Sequence, residues 1–283
     1  MKHEHSQSRA QTPNESSSSS TSASKVYLAS QSPRRQELLA QLGWRFELLL
    51  PSALSDLNGL QCLQSKVGVG VEALANRVGS NRLKPNAHDN ANVNVNVNVN
   101  APASSPSLSQ ALEDLERVRE GEGALAYVQR VTHLKFELAR HLASRLGPRY
   151  DRTCPLVCAD TTVVLDQTIL GKPHTPLEAR AMMRALSGRT HRVYTCVVVG
   201  DLRHQAKRVS RSWVSFAPLS ERVMEDYLQT QEWVGKAGGY AVQGRAAAFI
   251  SQIRGSYSGI MGLPLFETAE LLEDFVQRGR SHA

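Results

Sequence analysis

The stretch PLVCADTTVVLDQTILGKPHTPLEARAMMRALSG, residues 155–188, decides the fold class. Pro155–Leu165 reads as a strand, with Leu156-Val157 and Val163-Val164-Leu165 around a polar centre, Asp160-Thr161-Thr162, and a turn at Asp166-Gln167. A carboxylate inside a strand-like run is unusual. Thr175-Pro176-Leu177-Glu178 then reads as a capping box with Pro at the first helical position, and Ala179, Met182, Met183 and Leu186 form the apolar stripe of a helix that Ser187-Gly188 ends. Outward from this unit the alternation repeats. Towards the N-terminus, Ala124–Leu146 carries Val128, Val131, Leu134, Leu138 and Leu142 at helical spacing. Val26–Ala29 is a short apolar run, Arg34–Leu42 a helix closed by Gly43, and Trp44–Leu50 a second strand. Towards the C-terminus, Val193–Gly200 and Ser212–Phe216 read as strands, with helices at Leu219–Thr230 and Leu265–Gln277. Strands alternating with helices place the chain in the α/β class, with a mostly covered sheet of mixed direction.

Composition bounds the rest. Of 283 residues, 1–24 form a Ser-rich tail and about 52–112 a low-complexity insertion that includes NVNVNVNVN at Asn92–Asn100. That leaves 25–283, less the insertion, as one domain. No run of eighteen apolar residues exists to span a membrane, and the first residues lack the apolar core of a secretory signal. Cys62, Cys154, Cys158 and Cys196 are too sparse for a disulfide framework and fit a reducing cytoplasm, with Cys154 and Cys158 read as one loop thiol and one buried thiol. The net charge of +7 implies an anionic partner: nucleotide, nucleic acid or acidic membrane. Without an RNP-type aromatic motif, a zinc finger or a long Lys/Arg block, nucleic acid is the weaker of these uses.

Three constellations carry possible chemistry. In Ser30-Gln31-Ser32-Pro33-Arg34-Arg35, Ser32 takes the N-cap position and two guanidiniums fall in the first turn, where the helix dipole disfavours positive charge. Phosphate is the anion that matches both the dipole and the Arg fork, and a solvated surface turn is the plainer alternative. Asp160 with Gly171-Lys172-Pro173 is the second: a strand-end carboxylate can hold a divalent ion or take a proton, and a lysine on the next turn can neutralise phosphate. The plainer alternative is an Asp capping the turn. Gly171-Lys172-Pro173 is not a Walker A loop, lacking the earlier glycine and the Ser/Thr after Lys. Third, the glycines of Gly235–Gly244 and of Gly255–Pro264 let backbone approach a ligand closely while Gln243 offers an amide to a base edge, or simply build a structural loop. His191 and His204 have no partner at ligand or triad spacing and read as ordinary.

These blocks, in this order, resemble the Maf family of nucleoside triphosphate pyrophosphatases. The matching stretches are LASQSPRRQELLAQLG (28–43), ADTTVVLDQTILGKP (159–173), ALSGRTHRVYTCV (185–197), GKAGGYAVQG (235–244) and IRGSYSGIMGLPL (253–265). The resemblance implies a mixed α/β fold with two lobes around a cleft, a homodimer, a divalent metal (Mg²⁺ or Mn²⁺), and hydrolysis of a nucleoside triphosphate to monophosphate and pyrophosphate. Lys236-Ala237-Gly238 with Val242-Gln243-Gly244 is similar to the branch acting on dTTP and UTP. Nucleotide-pool cleaning and a role in cell-division arrest go with that family.

Carried over by position, the resemblance makes Asp160 the proton acceptor or metal-binding carboxylate, and Arg34, Thr161 and Gln243 the residues that set base preference. Ser32, Arg35, Lys135, Lys172 and Lys236 become phosphate contacts. One departure matters: the family's acidic segment should follow the second strand, where this chain has its insertion. Counting back from Ala126-Tyr127-Val128 places that segment on Glu113-Asp114-Leu115-Glu116 and a later Gly-Glu on Gly121-Glu122. Glu116 is therefore the expected second metal carboxylate, with Asp56 as the alternative. The competing reading from another class is a non-catalytic cell-division regulator that binds nucleic acid or a septum component. Asp160 inside an anion site argues for the enzyme.

Overall fold

The computed structural model describes residues 25–51 and 114–281. The Ser-rich tail, the Asn/Val tract, Cys62 and the alternative carboxylate Asp56 lie outside the described residues. In chain order the elements are β1 (Lys25–Leu28), α1 (Pro33–Gln41), β2 (Arg45–Leu48), α2 (Ala124–Leu146), β3 (Leu156–Leu165), β4 (Thr168–Leu170), α3 (Pro176–Leu186), β5 (Thr190–Gly200), β6 (Gln205–Phe216), α4 (Glu221–Gln229), β7 (Ile250–Arg254), α5 (Tyr257–Met261) and α6 (Leu265–Ser281). The expected mixed sheet is present. Its seven strands run β2-β1-β3-β5-β6-β7, with β4 paired to β3. β2, β1 and β3 are parallel, and β3 to β7 form antiparallel ladders.

One edge of β3 explains the two lobes. Along that edge, β1 meets β3 only at Leu156 and Val157, and β4 meets it only at Val163, Val164 and Leu165. Between them the ladder opens, and Asp160 and Thr161 sit at that opening. Because side chains alternate across a strand, Cys158 turns towards α2 while Val157 and Ala159 turn towards α1 and α6. Around Val163 and Leu165 a separate apolar cluster with Met183, Phe216, Tyr227, Tyr240 and Phe249 forms the second lobe.

Local chemistry accounts for most elements. The Thr175 hydroxyl accepts from the Glu178 N–H at 3.2 Å while the Glu178 carboxylate accepts from the His174 N–H at 2.8 Å, so the capping box forms with its return bond shifted one residue outwards. Ser32 sits at the N-cap of α1 before Pro33, but its hydroxyl makes no capping bond. α2 spans the predicted Ala124–Leu146 and buries Val128, Val131, Leu138 and Leu142; each such side chain contributes about 1.5–3 kcal/mol. The sequence reading departs from the structure in two places. β5 and β6 begin at Thr190 and Gln205, earlier than the apolar runs suggested. α5 occupies part of what read as glycine-rich loop, and β7 lies between the two glycine-rich stretches, where no element was predicted. Cys154 lies in the loop before β3, as expected, and is buried there like Cys158.

Candidate functional site

The opening beside β3 continues into a cleft of about 610 Å³, a size that suits a small ligand. Ser32, Arg34, Arg35, Glu116, Lys135, Asp160, Thr161, Lys172, Lys236 and Gln243 all line it. Residues widely separated in the chain thus face one volume. Five cationic side chains and two carboxylates are among them.

The two carboxylates share a cation. Lys135 Nζ lies 2.6 Å from Asp160 Oδ1 and 2.6 Å from Glu116 Oε1, and Lys172 Nζ lies 3.1 Å from Glu116 Oε2. Burial pushes the Glu116 carboxyl up, but the ammonium groups of Lys135 and Lys172 outweigh it and hold the group down at about 2. Burial likewise disfavours charge on Lys135, and Asp160 with Glu116 more than compensates, so the amine is held above its ordinary range. Glu116 and Lys135 are therefore both charged at neutral pH.

Arg35 is held by neutral acceptors. Its Nε donates to the Gly262 carbonyl at 2.8 Å and Nη1 to Ser30 Oγ at 3.2 Å, and Nη2 reaches to 3.5 Å from Thr161 Oγ1. Thr161 is fixed in turn by Thr195, whose hydroxyl donates to the Gly259 carbonyl at 2.7 Å and lies 3.0 Å from Thr161 Oγ1. Gly262 has φ +126°, a conformation that other residues rarely adopt, which is why the chain can turn its carbonyl onto Arg35. Among the described residues Arg34 Nε is buried without a partner, and burial, then the neighbouring Arg35, hold that guanidinium below its usual range. Burial and Arg34 also lower the Lys236 amine. Among the described residues, Arg34, Arg35 and Lys236 make no ion pair within 4.0 Å. Their charge is left for an anion that enters.

The glycine loop closes the far side. The Gly238 N–H donates to the Gly171 carbonyl at 2.9 Å. With φ +71°, and Val163 Cγ1 only 2.9 Å from where a Cβ would stand, no other residue fits position 238. This contact ties the loop carrying Lys236 and Gln243 to the turn carrying Lys172. Gln243 is exposed at the cleft.

For a divalent metal, the residues fit. Two carboxylate oxygens converge on the one position that Lys135 Nζ holds, and hard oxygen donors of this kind suit Mg²⁺ or Mn²⁺, which is commonly bound through one or two carboxylates plus substrate phosphates. Among the described residues there is no cluster of three His, Cys, Asp or Glu that would form an all-protein cage.

Several roles escaped the sequence reading. Ser30, Thr195 and Gly262 orient Arg35 and Thr161 through contacts that no local pattern marks. Lys135 entered only through the family resemblance, yet it had a signal of its own: it interrupts the core-facing stripe Val128, Val131, Leu138, Leu142 of α2 at helical spacing.

Comparison with known proteins identifies the family. A family model described as Maf-like protein matches residues 91–275. The chain is 41% identical over 250 residues to the dTTP/UTP pyrophosphatase of Albidiferax ferrireducens, covering 88% of this chain and 96% of that one. It is 40% identical over 247 residues to a protein of the same name from Polaromonas sp. (87% and 94% covered), and 42% over 251 residues to one from Burkholderia lata (87% and 91%). With a matched family model over most of the chain and relatives of this identity over nearly their full length, the chain belongs to the Maf-like protein family.

Proposed function

We propose that this chain is a nucleoside triphosphate pyrophosphatase acting on dTTP and UTP, releasing the monophosphate and pyrophosphate. The relatives' shared name supports the substrate class, and one observation carries the reading: Asp160 and Glu116 converge on Lys135 inside a cleft where, among the described residues, Arg34, Arg35 and Lys236 have no carboxylate partner. A triphosphate brings three or four negative charges, and Arg34, Arg35, Lys172 and Lys236 supply the matching fields. As Lys135 turns to a phosphate oxygen, Asp160 is released to accept the proton of a water that attacks the α-phosphorus. The α–β bridging oxygen then leaves with pyrophosphate. A Mg²⁺ or Mn²⁺ held by Asp160 and Glu116 would supply neutralisation of charge on the phosphate oxygens. Arg34, Thr161 and Gln243 set base preference, Gln243 because an amide reads the donor and acceptor edge of a pyrimidine.

The test is product analysis from a panel of nucleoside triphosphates with Mg²⁺ or Mn²⁺. Pyrophosphate and monophosphate, formed fastest from dTTP and UTP, are expected. Orthophosphate as the first product, or no turnover, contradicts the reading. We read the enzyme as a cytoplasmic homodimer that cleans the nucleotide pool. Among the described residues no helix is long and apolar enough to cross a membrane, and light scattering in solution tests the dimer.

A further inference from the structure

Glu116 lies on a segment, 114–123, with little regular structure of its own. A carboxylate that must meet Lys135 and Lys172 needs its backbone held from outside, and one side chain of α2 does most of this. Arg130 Nη1 donates to the Leu115 carbonyl at 3.1 Å and Nη2 to the Arg117 carbonyl at 2.8 Å, the two residues that flank Glu116. The carbonyl of Glu116 itself accepts from the Tyr127 hydroxyl at 2.8 Å. Three consecutive carbonyls are thus fastened to one helix face. Arg130 is itself locked: Nε and Nη2 meet Glu122 Oε1 and Oε2 at 2.6 and 2.7 Å, and Glu122 Oε2 also accepts from the Arg119 N–H at 3.1 Å. With side-chain exposures of 13% and 9%, this bidentate pair is shielded from the screening that weakens surface pairs. The Arg130 guanidinium also lies 5.5 Å from the centre of the Tyr127 ring.

We infer that Arg130, seconded by Tyr127, is the positioning residue of the site: it sets where the Glu116 carboxylate stands by gripping the backbone on both sides of it. The inference rests on the proposed role of Glu116 in nucleotide hydrolysis. The grip needs the planar fork, since four donations in fixed directions are beyond the single ammonium of lysine. Arg130→Lys therefore keeps the charge and loses the clamp.

The test is a double-mutant cycle with an independent structural readout. Arg130→Lys is expected to slow kcat on dTTP about 10- to 100-fold, as small misplacements of reacting groups do, with KM moving much less. Tyr127→Phe should lose about threefold, one bond of the set. In a Glu116→Gln background, read by single turnover at high enzyme concentration, adding Arg130→Lys should change the rate less than about twofold, because the group it positions is already disabled. In parallel, amide exchange across 115–122 should quicken about tenfold in Arg130→Lys while β5 is unchanged. Equal slowing in both backgrounds would make Arg130 merely structural and overturn the inference. So would a wild-type rate, or unaltered exchange. If the wild-type chain turns over no nucleoside triphosphate, the functional reading falls and with it the positioning role, while the exchange arm still decides whether the clamp exists.

Discussion

Asp160 and His191 stand on adjacent strands of one sheet, β3 and β5, and both are buried, with exposures of 9% and 1%. Their surroundings could hardly differ more. Asp160 is paired to an ammonium at the opening of a cleft. His191 is enclosed by rings: Phe216 and Tyr240 meet it edge to face at 5.1 and 5.4 Å, Tyr240 Oη lies 2.8 Å from its Nε2, and Nδ1 has no partner among the described residues. Burial pushes its pKa down to about 4, so it is neutral. Burial of a titratable side chain therefore does not make a site. Opposed charge and a volume to receive substrate do, and Asp160 has both.

Breaking the Asp160 side should cost most. Asp160→Asn is expected to slow pyrophosphate release about 10²- to 10⁴-fold, the range of a lost acid–base group, with the fold intact by circular dichroism. Glu116→Gln should follow with a smaller loss of about 10- to 100-fold and a raised Mg²⁺ or Mn²⁺ requirement, read from rate against metal concentration. Lys135→Met sharpens the contrast from the stability side. It leaves two carboxylates facing each other without their shared cation, so unfolding should become easier by about 3 kcal/mol and Mn²⁺ should restore part of it, as calorimetry would show.

On the His191 side the expected effects are mainly on stability, because Tyr240 reaches the cleft with its ring but keeps its hydroxyl on His191. His191→Phe by itself strands the Tyr240 hydroxyl and should cost about 1–3 kcal/mol, whereas His191→Phe with Tyr240→Phe removes both polar partners and should cost less, with hydrolysis within about twofold of wild type. The pH dependence separates them further. A histidine at about 4 when folded, against 6.5 when unfolded, is protonated preferentially in the unfolded chain, so its contribution is complete above pH 6.5 and is lost as pH falls towards 4. Denaturant titrations should show up to about 3 kcal/mol of that loss in wild type and its absence in the double variant.

Legibility in the sequence followed burial. α2 and β3 were readable because one face or both lie in the core, and their apolar spacing shows it. The first half of β6 was not, because Lys207, Arg208 and Arg211 are exposed and only the ladder with β5 makes them strand. β7 failed for a similar reason: its pairing partner on β6 lies some forty residues away, and Ser251, Gln252 and Arg254 are exposed. In the site, Asp160 announced itself as a carboxylate in an apolar run. Glu116 needed a count along the family pattern across the insertion, and the role of Arg130 left no trace, because what it binds is backbone carbonyls that carry no sequence signal.

The most direct test is a pyrophosphate-release time course on dTTP with Mg²⁺, run side by side on wild type, Asp160→Asn and the His191→Phe, Tyr240→Phe pair. The wild type and the aromatic pair releasing pyrophosphate at similar rates, with Asp160→Asn slower by a hundredfold or more, is the predicted result. Asp160→Asn at the wild-type rate, or the aromatic pair inactive while still folded, would contradict it.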